Sequence, residues 1–457
     1  TEILVALTGG PALPAGEVNY PYSYDLNQLL AVTGDSAYSA AGVAWSLPSG
    51  TLPAGLSLGS NGVISGIPTT KDAVGSSFQV KAAYKTKTGQ QAYTIVVNGA
   101  IVHVTQISAG TLHTCVVTTS GGAKCWGINS YGQLGNNSTV TSLVPVAVSG
   151  LATGVASISG GGNHTCALTT SGGIKCWGRN TYGQLGDGTA TQRNAPVNVN
   201  GLTSGVDSIS VGYETTCAVT TAGGAKCWGA NCDSRVGDAR TLNLVLTVRV
   251  SRLCSGAAHL AAGTAHSCAV TATGGVKCWG DNGYGQLGNN STTNSVTPVN
   301  VSGLATGVAN ITTGTYHTCA VLTSGGAKCW GFNVYGQLGD GTLVSPRLTP
   351  VAVSGLASGG VVAITAGYAH TCAVTTSGGA KCWGYNVYGQ VGDGTTTNRS
   401  VPVDVSGFTS GVTSITGGNG HSCLLSLAGP VCWGRNDGGQ LGDNSTTFRS
   451  TPVAVSP

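Results

Sequence analysis

The sequence predicts an all-β protein, with a small N-terminal β-sandwich followed by a ring of repeated β units. Three observations predict this class. Cysteine-containing units recur seven times after residue 100, and their first cysteines are 51 residues apart, or once 53. Short β-prone runs alternate with glycine-rich turns, without helical periodicity. Residues 1–100 contain no cysteine, so the chain is expected to divide into domains at 1–100 and 101–457.

The N-terminal segment has the pattern of six or seven short strands. Asn61-Gly62 lies between two apolar runs, which is a strong hairpin signal. Residues 78–84 and 92–97 are also β-prone, and a polar segment joins them. Two sequence motifs resemble those of the immunoglobulin-like domains of bacterial surface proteins. They are Leu13-Pro-Ala-Gly16, and Leu52-Pro-Ala-Gly-Leu-Ser-Leu58 followed by Val63-Ile-Ser-Gly-Ile-Pro68. The resemblance covers residues 10–98 and implies a β-sandwich.

Residues 1–8 are interpreted as a detached β-strand ahead of the sandwich. Ile3, Val5 and Leu7 alternate with other residues and would give this strand one apolar face. The strand can complete its own sandwich, or it can be exchanged and add to a sheet of a neighbouring copy. The second alternative predicts a filament, because head-to-tail contacts do not close on themselves.

Each repeated unit contains two cysteines that are nine or ten residues apart and flank a glycine-containing turn. A turn centred on Ser120 would place Cys115 opposite Cys125 on one face of a hairpin, close to disulfide reach. Zinc is the alternative, because His113 precedes Cys115 by two residues, but Cys-x-x-Cys spacing is absent. The even number of cysteines therefore predicts eight disulfides: Cys115–Cys125, Cys166–Cys176, Cys217–Cys227, Cys268–Cys278, Cys319–Cys329, Cys372–Cys382, Cys423–Cys432 and Cys232–Cys254.

The cysteine density predicts an oxidising location, either secreted or at the cell surface. The chain contains no methionine, so Thr1 is expected to be the end left by signal-peptide cleavage. Only 8% of the residues are charged, and the net charge of +4 is not gathered into a basic stripe. We therefore expect no nucleic-acid partner. No apolar run approaches the ~20 residues of a membrane-spanning helix.

The repeated unit runs Ile-x-x-Gly-x-x-His-Thr-Cys, Gly-Gly-x-Lys-Cys-Trp-Gly, Asn-x-Tyr-Gly-Gln-Leu-Gly and Pro-Val-x-Val. This pattern resembles the regulator of chromosome condensation repeat, whose seven copies form a seven-bladed β-propeller. The resemblance implies a seven-bladed β-propeller with an N-terminal immunoglobulin-like β-sandwich. Elementary geometry agrees, because four short strands cannot bury a face alone and radial closure leaves only short edges. The paired cysteines are typical of secreted bacterial relatives.

Several recurring residues are interpreted as structural. The tryptophan after each second cysteine is expected to lie between neighbouring units. A histidine that recurs in six units indicates a repeated structural hydrogen bond from the ring to the backbone, whereas a catalytic histidine needs a unique partner. Gly-Asp-Gly-Thr at 186–189, 339–342 and 392–395 could suggest calcium, but each loop offers a single acid. No catalytic motif stands out, so we expect no enzyme activity, cofactor or metal.

The third repeat departs from the others. Thr215 replaces the histidine, and Asn231-Cys-Asp-Ser-Arg-Val236 replaces Asn-x-Tyr-Gly-Gln-Leu. An apolar run at 242–250 follows, with Arg235 and Arg240 nearby. These features predict a contact patch in which the two arginines take part in assembly. Drift within one repeat is the alternative.

Two functions are compatible with these patterns. The uncharged, Ser/Thr/Gly-rich composition favours a non-enzymatic extracellular structural protein, a self-assembling subunit of a surface filament, sheath or coat. Its main partner would be a second copy of itself. The alternative is a secreted adhesin or inhibitor-type propeller that binds a surface glycan or another protein. That alternative predicts aromatic and charged residues clustered on one rim. Only five tyrosines qualify, and because they recur regularly they indicate structure first: Tyr131, Tyr182, Tyr284, Tyr335 and Tyr388.

Overall fold

The computed structural model describes residues 2–18, 20–98 and 103–457. The predicted processed end at Thr1 and the predicted start of the repeat segment at residue 101 lie outside these residues. The chain folds into two compact units, Thr1–Ile101 with Pro457 and Val102–Ser456. The described elements are strands, apart from the short 3₁₀ helices Leu26–Leu29 and Ala40–Gly42. Neither of these helices is long enough to span a membrane.

The first unit contains nine strands among its described residues. They are β1 (Leu4–Leu7), β2 (Gly16–Glu17), β3 (Tyr22–Asp25), β4 (Leu30–Thr33), β5 (Val43–Gly50), β6 (Leu56–Leu58), β7 (Val63–Gly66), β8 (Asp72–Tyr84) and β9 (Lys87–Asn98). The sheet orders are β2-β9-β8-β5, β3-β7-β6 and β1-β4. Ile64, Val80 and Ile95 are fully buried between them.

Two hairpins of this unit show how the local sequence determines the position of a turn. Asn61-Gly62 joins β6 to β7 as predicted, and Gly62 has a φ of +82° that favours glycine. The hairpin of β8 and β9 is longer than predicted, because its turn occupies only Lys85 and the following residue. The segment expected to be a polar link continues β9, since its polar side chains alternate toward solvent while Gly89 is buried.

Strand β1 pairs antiparallel with β4 of its own chain, from Leu4 opposite Thr33 to Leu7 opposite Leu30. Val5 and Leu7 belong to the core of this unit, and Ile3 packs against it. The exchanged strand that we considered is therefore not observed. Its apolar face already has partners within the same chain.

The second unit consists of seven antiparallel four-stranded sheets, each built from one repeat in sequential order. Their strands are β10–β13 (Val104–Ala109, His113–Thr118, Ala123–Gly127, Ser142–Ala147), β14–β17 (Val155–Gly160, His164–Thr169, Ile174–Gly178, Arg193–Asn198), β18–β21 (Val206–Val211, Thr215–Thr220, Ala225–Gly229, Leu244–Arg249), β22–β25 (Ala257–Ala262, His266–Thr271, Val276–Gly280, Ser295–Asn300), β26–β29 (Val308–Thr313, His317–Leu322, Ala327–Gly331, Arg347–Ala352), β30–β33 (Val361–Ala366, His370–Thr375, Ala380–Gly384, Arg399–Asp404) and β34–β37 (Val412–Gly417, His421–Ser426, Gly429–Gly434, Arg449–Ala454).

The second and third strands of each sheet hold the paired cysteines. In the first sheet Cys115 lies directly opposite Cys125, with 4.0 Å between their Cα atoms. The structure joins all seven hairpin pairs in this way: Cys115–Cys125, Cys166–Cys176, Cys217–Cys227, Cys268–Cys278, Cys319–Cys329, Cys372–Cys382 and Cys423–Cys432.

The eighth predicted disulfide, Cys232–Cys254, is wrong. Both residues are exposed free thiols. Cys232 follows β20, whereas Cys254 follows β21, which runs in the opposite direction beside β20. The two thiols therefore lie beyond opposite ends of one sheet, separated by about five strand residues or ~15–20 Å. A disulfide needs Cα atoms within about 7 Å.

Each recurrent tryptophan is buried between neighbouring repeats, as predicted. Trp177 packs against the disulfide of the preceding repeat, and its Nε1 donates to the Gln133 carbonyl at 2.9 Å. The first repeat completes the pattern with the last, because Trp126 packs in one cluster with Cys423 and Cys432. Its Nε1 donates to the Gln440 carbonyl at 2.9 Å. The seven sheets therefore form a closed ring.

Candidate binding surface

The loops that join the first strand to the second, and the third to the fourth, lie at the same end of every sheet. This follows from antiparallel order, because alternate connections of such a sheet share one edge. In the first repeat these loops are residues 110–112 and 128–141. We call this end of the ring, with its equivalents in all repeats, the loop face.

Seven aromatic rings form a continuous row on the loop face. Tyr284 contacts Phe332 at a centroid distance of 4.8 Å, and the row continues with steps between 4.8 and 6.1 Å. Tyr316 lies against its first members, 5.1 Å from Tyr284. The row spans the last four repeats. We call it the aromatic arc, and its members are Tyr284, Tyr316, Phe332, Tyr335, Tyr385, Tyr388 and Phe448.

The arc is both ordered and accessible. Its rings meet edge to face or at tilted angles, which is the favourable geometry for aromatic pairs. Tyr284 and Phe448, at its two ends, are 40% and 45% exposed, and the rings between them are half-buried. The rings therefore hold each other in place while presenting apolar surface to solvent.

Charged side chains lie beside the arc, among them Asp281 and Asp233 near Tyr316. Arg435 lies over the Tyr388 ring at 5.5 Å, and its Nε donates to Asp437 at 2.9 Å. Burial would raise the pKa of Asp437, but the hydrogen bonds from Arg435 and Gln440 outweigh it and lower the pKa. Burial also raises the pKa of Tyr316 and Tyr385, with neighbouring tyrosines adding to the effect. These two phenols are therefore neutral at ordinary pH.

A second aromatic group lies outside the arc. Arg179 stacks between Tyr131 and Tyr182, at 5.3 and 5.5 Å from the two centroids. Its guanidinium is also paired with Glu214 at 3.0 Å. The predicted rim tyrosines thus fall into two groups, and only Tyr284, Tyr335 and Tyr388 belong to the arc.

A cavity of about 120 Å³ opens at the centre of the loop face. Glycine and threonine from the first loop of every repeat form most of its wall, joined by Tyr213 and Tyr368. These two rings are 36% and 43% exposed. The lining residues carry no charged side chain, so the cavity offers little to attract an ion.

The six recurrent histidines link repeats. His113 Nε2 is hydrogen-bonded to Thr165 Oγ1 of the next repeat at 2.8 Å, and the other five repeat this bond at 2.8–3.0 Å. All six are fully buried, and within the described residues their Nδ1 atoms have no partner. Burial lowers the pKa of His113 and His370 to about 4, and lowers it to about 3 in the others: His164, His266, His317 and His421.

The Gly-Asp-Gly-Thr loops use their acids internally. Asp187 accepts hydrogen bonds from Asn180, Thr189 and Arg193, and Asp340 and Asp393 repeat this arrangement. The carboxylates are therefore already compensated, which argues against calcium. The part of the chain that the structure describes contains no group of three or more His, Cys, Asp or Glu side chains placed to hold a metal.

The assembly residues predicted from the third repeat differ from one another. Arg235 is buried, at 6% exposure, and is paired with Asp233, so it cannot form part of a contact surface. It occupies the position of the motif glutamine, and its carbonyl accepts the Trp279 Nε1–H at 2.9 Å. Arg240 is exposed and forms an ion pair with Asp238. The predicted assembly residues Val5 and Leu7 belong to the core of their own unit, and Ile3 packs against it.

Sequence reasoning missed four members of the arc. Phe332 and Tyr385 follow the Trp-Gly pair, Tyr316 precedes the histidine, and Phe448 lies before the last strand. Aligning the seven repeats would have exposed the first three, because the column after Trp-Gly is aromatic only in the fifth and sixth repeats, and the column before the histidine only in the fifth. Only the fold shows that the columns meet.

Comparisons with known proteins agree with this architecture. The family model described as "Regulator of chromosome condensation (RCC1) repeat" matches residues 121–168, 171–219, 273–321, 325–374 and 378–425, which is more than half of the chain. A second model of the same description matches 104–133, 155–184, 206–235, 257–286, 308–337 and 361–390. A model described as "Putative Ig domain" matches residues 5–98.

The relatives and solved structures differ in what they share with this chain. The ultraviolet-B receptor UVR8 of Arabidopsis thaliana is 32% identical over 307 residues, which cover 65% of this chain and 69% of the receptor. The human E3 ubiquitin-protein ligase HERC2 is 30% identical over 336 residues, 70% of this chain but only 7% of the ligase.

Two solved structures share the fold at lower identity. Human WBSCR16 is 21% identical, with a TM-score of 0.64 over 76% of this chain and 91% of its own. Prp20p of Saccharomyces cerevisiae is 18% identical, with a TM-score of 0.62 over 69% of this chain and 80% of its own. With its repeated four-stranded sheets and its matching motifs, the chain belongs to the family of propeller proteins built from regulator of chromosome condensation repeats.

Proposed function

We propose that this protein is a non-enzymatic protein-binding module, and that the aromatic arc is its contact surface. In this proposal a seven-bladed propeller presents the arc, and an immunoglobulin-like sandwich precedes it. The observation that carries the proposal is the arc itself. Seven rings touch in one row across four repeats, and two of them, Phe332 and Tyr385, stand at a position where the fold does not require an aromatic ring.

The first three repeats show that the fold does not require Phe332 and Tyr385. At the position of Phe332 and Tyr385 they carry Ile128, Arg179 and Ala230. Their sheets are nevertheless built in the same way. A row of aromatic rings that includes members without a folding role, and that is confined to one side of one face, is typical of a binding site.

The chemistry of the arc favours a protein as its ligand. Binding surfaces that recognise proteins are rich in tyrosine, with serine, glycine and asparagine around it, and their centres are poor in charge. The loops that carry the arc combine tyrosine with glycine and asparagine, and Arg435 is already neutralised by Asp437. One solved structure of the same fold points the same way, because Prp20p has been described as binding Gsp1p and histones.

We further propose that the protein acts outside the cytosol, as a secreted or surface protein of a bacterium. Seven disulfides support this location, because such bonds persist in oxidising compartments. A function as a subunit of a filament, sheath or coat is supported only by the amino-acid composition. The strand that would have linked its subunits is occupied within its own chain.

The variant Phe332→Ala/Tyr385→Ala is expected to lose partner binding. Each central ring removed from an interface costs about 1–2 kcal/mol, so the affinity should fall about 30- to 1000-fold. Partners are captured from an extract of the source organism by the unchanged protein, identified, purified and titrated by calorimetry against both proteins. Tyr182→Ala, on the same face but outside the arc, is the matched control and should bind normally.

Two results would refute the proposal. One is equal affinity of the arc variant and the unchanged protein for every purified partner. The other is binding to a glycan array, lost in the arc variant, without any protein partner. That second result would establish the adhesin alternative. Thermal unfolding of both variants verifies that the ring remains intact.

A further inference from the structure

The outermost strand of each sheet carries a proline in six of the seven repeats. It is the fourth residue of the strand in Pro145, Pro196, Pro298, Pro350, Pro402 and Pro452. Proline is accepted in an edge strand where its missing N–H would point away from the sheet, and it blocks pairing with a further strand. The third repeat has Thr247 at this position. By the same geometry, the Thr247 N–H points outward from an unblocked edge.

The unblocked edge is also apolar. Leu246 on β21 is 48% exposed, its neighbour Val245 is 37% exposed, and Leu242 just before the strand is 70% exposed. An exposed apolar edge strand is a template for pairing with another strand. The Val245 carbonyl already accepts the Gly188 N–H at 3.1 Å, so the available main chain lies toward the second half of β21.

The same sheet carries the two free thiols of the described chain. Cys232 lies beyond the Leu244 end of β21 and Cys254 beyond the Arg249 end, both exposed. They cannot reach each other within one chain. The remaining fourteen cysteines are all paired in hairpins, so the two unpaired cysteines coincide with the one unblocked edge.

We propose that β21 pairs antiparallel with β21 of a second copy of this chain, and that two disulfides between Cys232 and Cys254 of opposite copies lock the dimer. A two-fold axis across the strand pair places the Leu244 end of one copy beside the Arg249 end of the other. Each Cys232 then lies at the same end as the Cys254 of the second copy. The Arg249 side chains lie at opposite ends, so like charges do not face each other.

Disulfide formation needs an oxidant, and a small-molecule disulfide of the glutathione class supplies it. The Cys232 thiolate attacks this disulfide, forms a mixed disulfide and releases one small thiol. The Cys254 thiolate of the second copy then displaces the second small thiol, and the protein S–S bond forms. Two protein thiols are oxidised for each small disulfide that is reduced to two thiols. A dimer with both bonds is therefore four hydrogens lighter than two chains.

The first test incubates the full chain with oxidised glutathione and follows the product by non-reducing electrophoresis, intact mass and peptide mapping. We expect a dimer with Cys232–Cys254 peptides. Cys232→Ser and Cys254→Ser alone should each give no such dimer, whereas an equimolar mixture of the two variants should give a heterodimer with one bond. Cys232–Cys232 or Cys254–Cys254 links, or no linked dimer, would overturn the proposal.

The second test separates strand pairing from the thiols. Thr247→Pro is compatible with the fold, because the other six sheets carry proline there, and it should reduce the rate of disulfide dimer formation at least tenfold. Sedimentation of Cys232→Ser/Cys254→Ser should show reversible dimers that weaken at least tenfold when Thr247→Pro is added. Unchanged rates and association in the proline variants would show that β21 is not the interface. Phe332→Ala/Tyr385→Ala, altered only in the arc, should dimerise normally.

Discussion

Acidification from pH 6.5 to 4.5 is expected to unfold the ring of repeats. Six histidines lie fully buried in the seams, each bonded through Nε2 to the next repeat. A Cβ on Gly110 would collide with the His113 ring, which shows how closely the seam encloses it. The enclosed rings are neutral because burial lowers their pKa from 6.5 to about 3 or 4.

The direction of the pH effect follows from these pKa values. Below pH 6.5 these histidines bind protons in the unfolded chain but not in the folded chain. The free energy of unfolding therefore falls as the pH falls. The stability that the neutral histidines contribute is fully present above the pKa of the unfolded chain. It is lost as the pH falls toward the pKa of the folded chain. Each ring contributes a slope of about 1.4 kcal/mol per pH unit, and six contribute about 8 kcal/mol per unit at most. Typical free energies of unfolding are about 5–15 kcal/mol, so a decrease of two pH units is sufficient to unfold the ring of repeats.

Urea unfolding followed by circular dichroism at several pH values checks this expectation. His317→Thr, which copies the residue found naturally at Thr215, should reduce the slope by about 1.4 kcal/mol per pH unit. His259→Gln, at an exposed position, is the matched control and should leave it unchanged. A free energy of unfolding that is constant between pH 6.5 and 4.5 would contradict the assignment of the histidines as neutral seam residues.

Trp126→Ala is expected to destabilise the ring by about 3–5 kcal/mol, the usual cost of removing a large buried aromatic side chain. Trp126 is fully buried where the first repeat meets the last, and its Nε1 donates to the Gln440 carbonyl. The substitution would leave a cavity beside the Cys423–Cys432 disulfide, and the Gln440 carbonyl would keep only its hydrogen bond from Thr114 Oγ1. It would therefore weaken the one seam that the covalent chain does not bridge.

Trp126→Phe separates packing from hydrogen bonding. It keeps most of the ring volume and loses the N–H donor, so we expect a smaller loss of about 1–2 kcal/mol. Urea unfolding of both variants gives the comparison. If Trp126→Ala unfolded within about 1 kcal/mol of the unchanged protein, closure of the ring through this residue would be disproved.

The sequence by itself determined the local units of this protein. Cysteines ten residues apart around a two-glycine turn must face each other across a hairpin, so the pairing of Cys115 with Cys125 could be predicted. Asn61-Gly62 specified its turn in the same way. The recurrence of tryptophan predicted its place between repeats, because one repeat cannot bury so large a ring alone. These features depend on spacing within about fifty residues.

Tertiary structure decided what depends on the direction of each strand and on how repeats meet. The sequence placed Cys232 and Cys254 in one repeat, but antiparallel order sets them at opposite ends of a sheet. It showed β1 as apolar, but only the sandwich shows that β4 is its partner. The rings of the aromatic arc come from four repeats, and they touch because radial packing brings distant segments to one face. No local pattern carries that information, because the contacts join residues from different repeats.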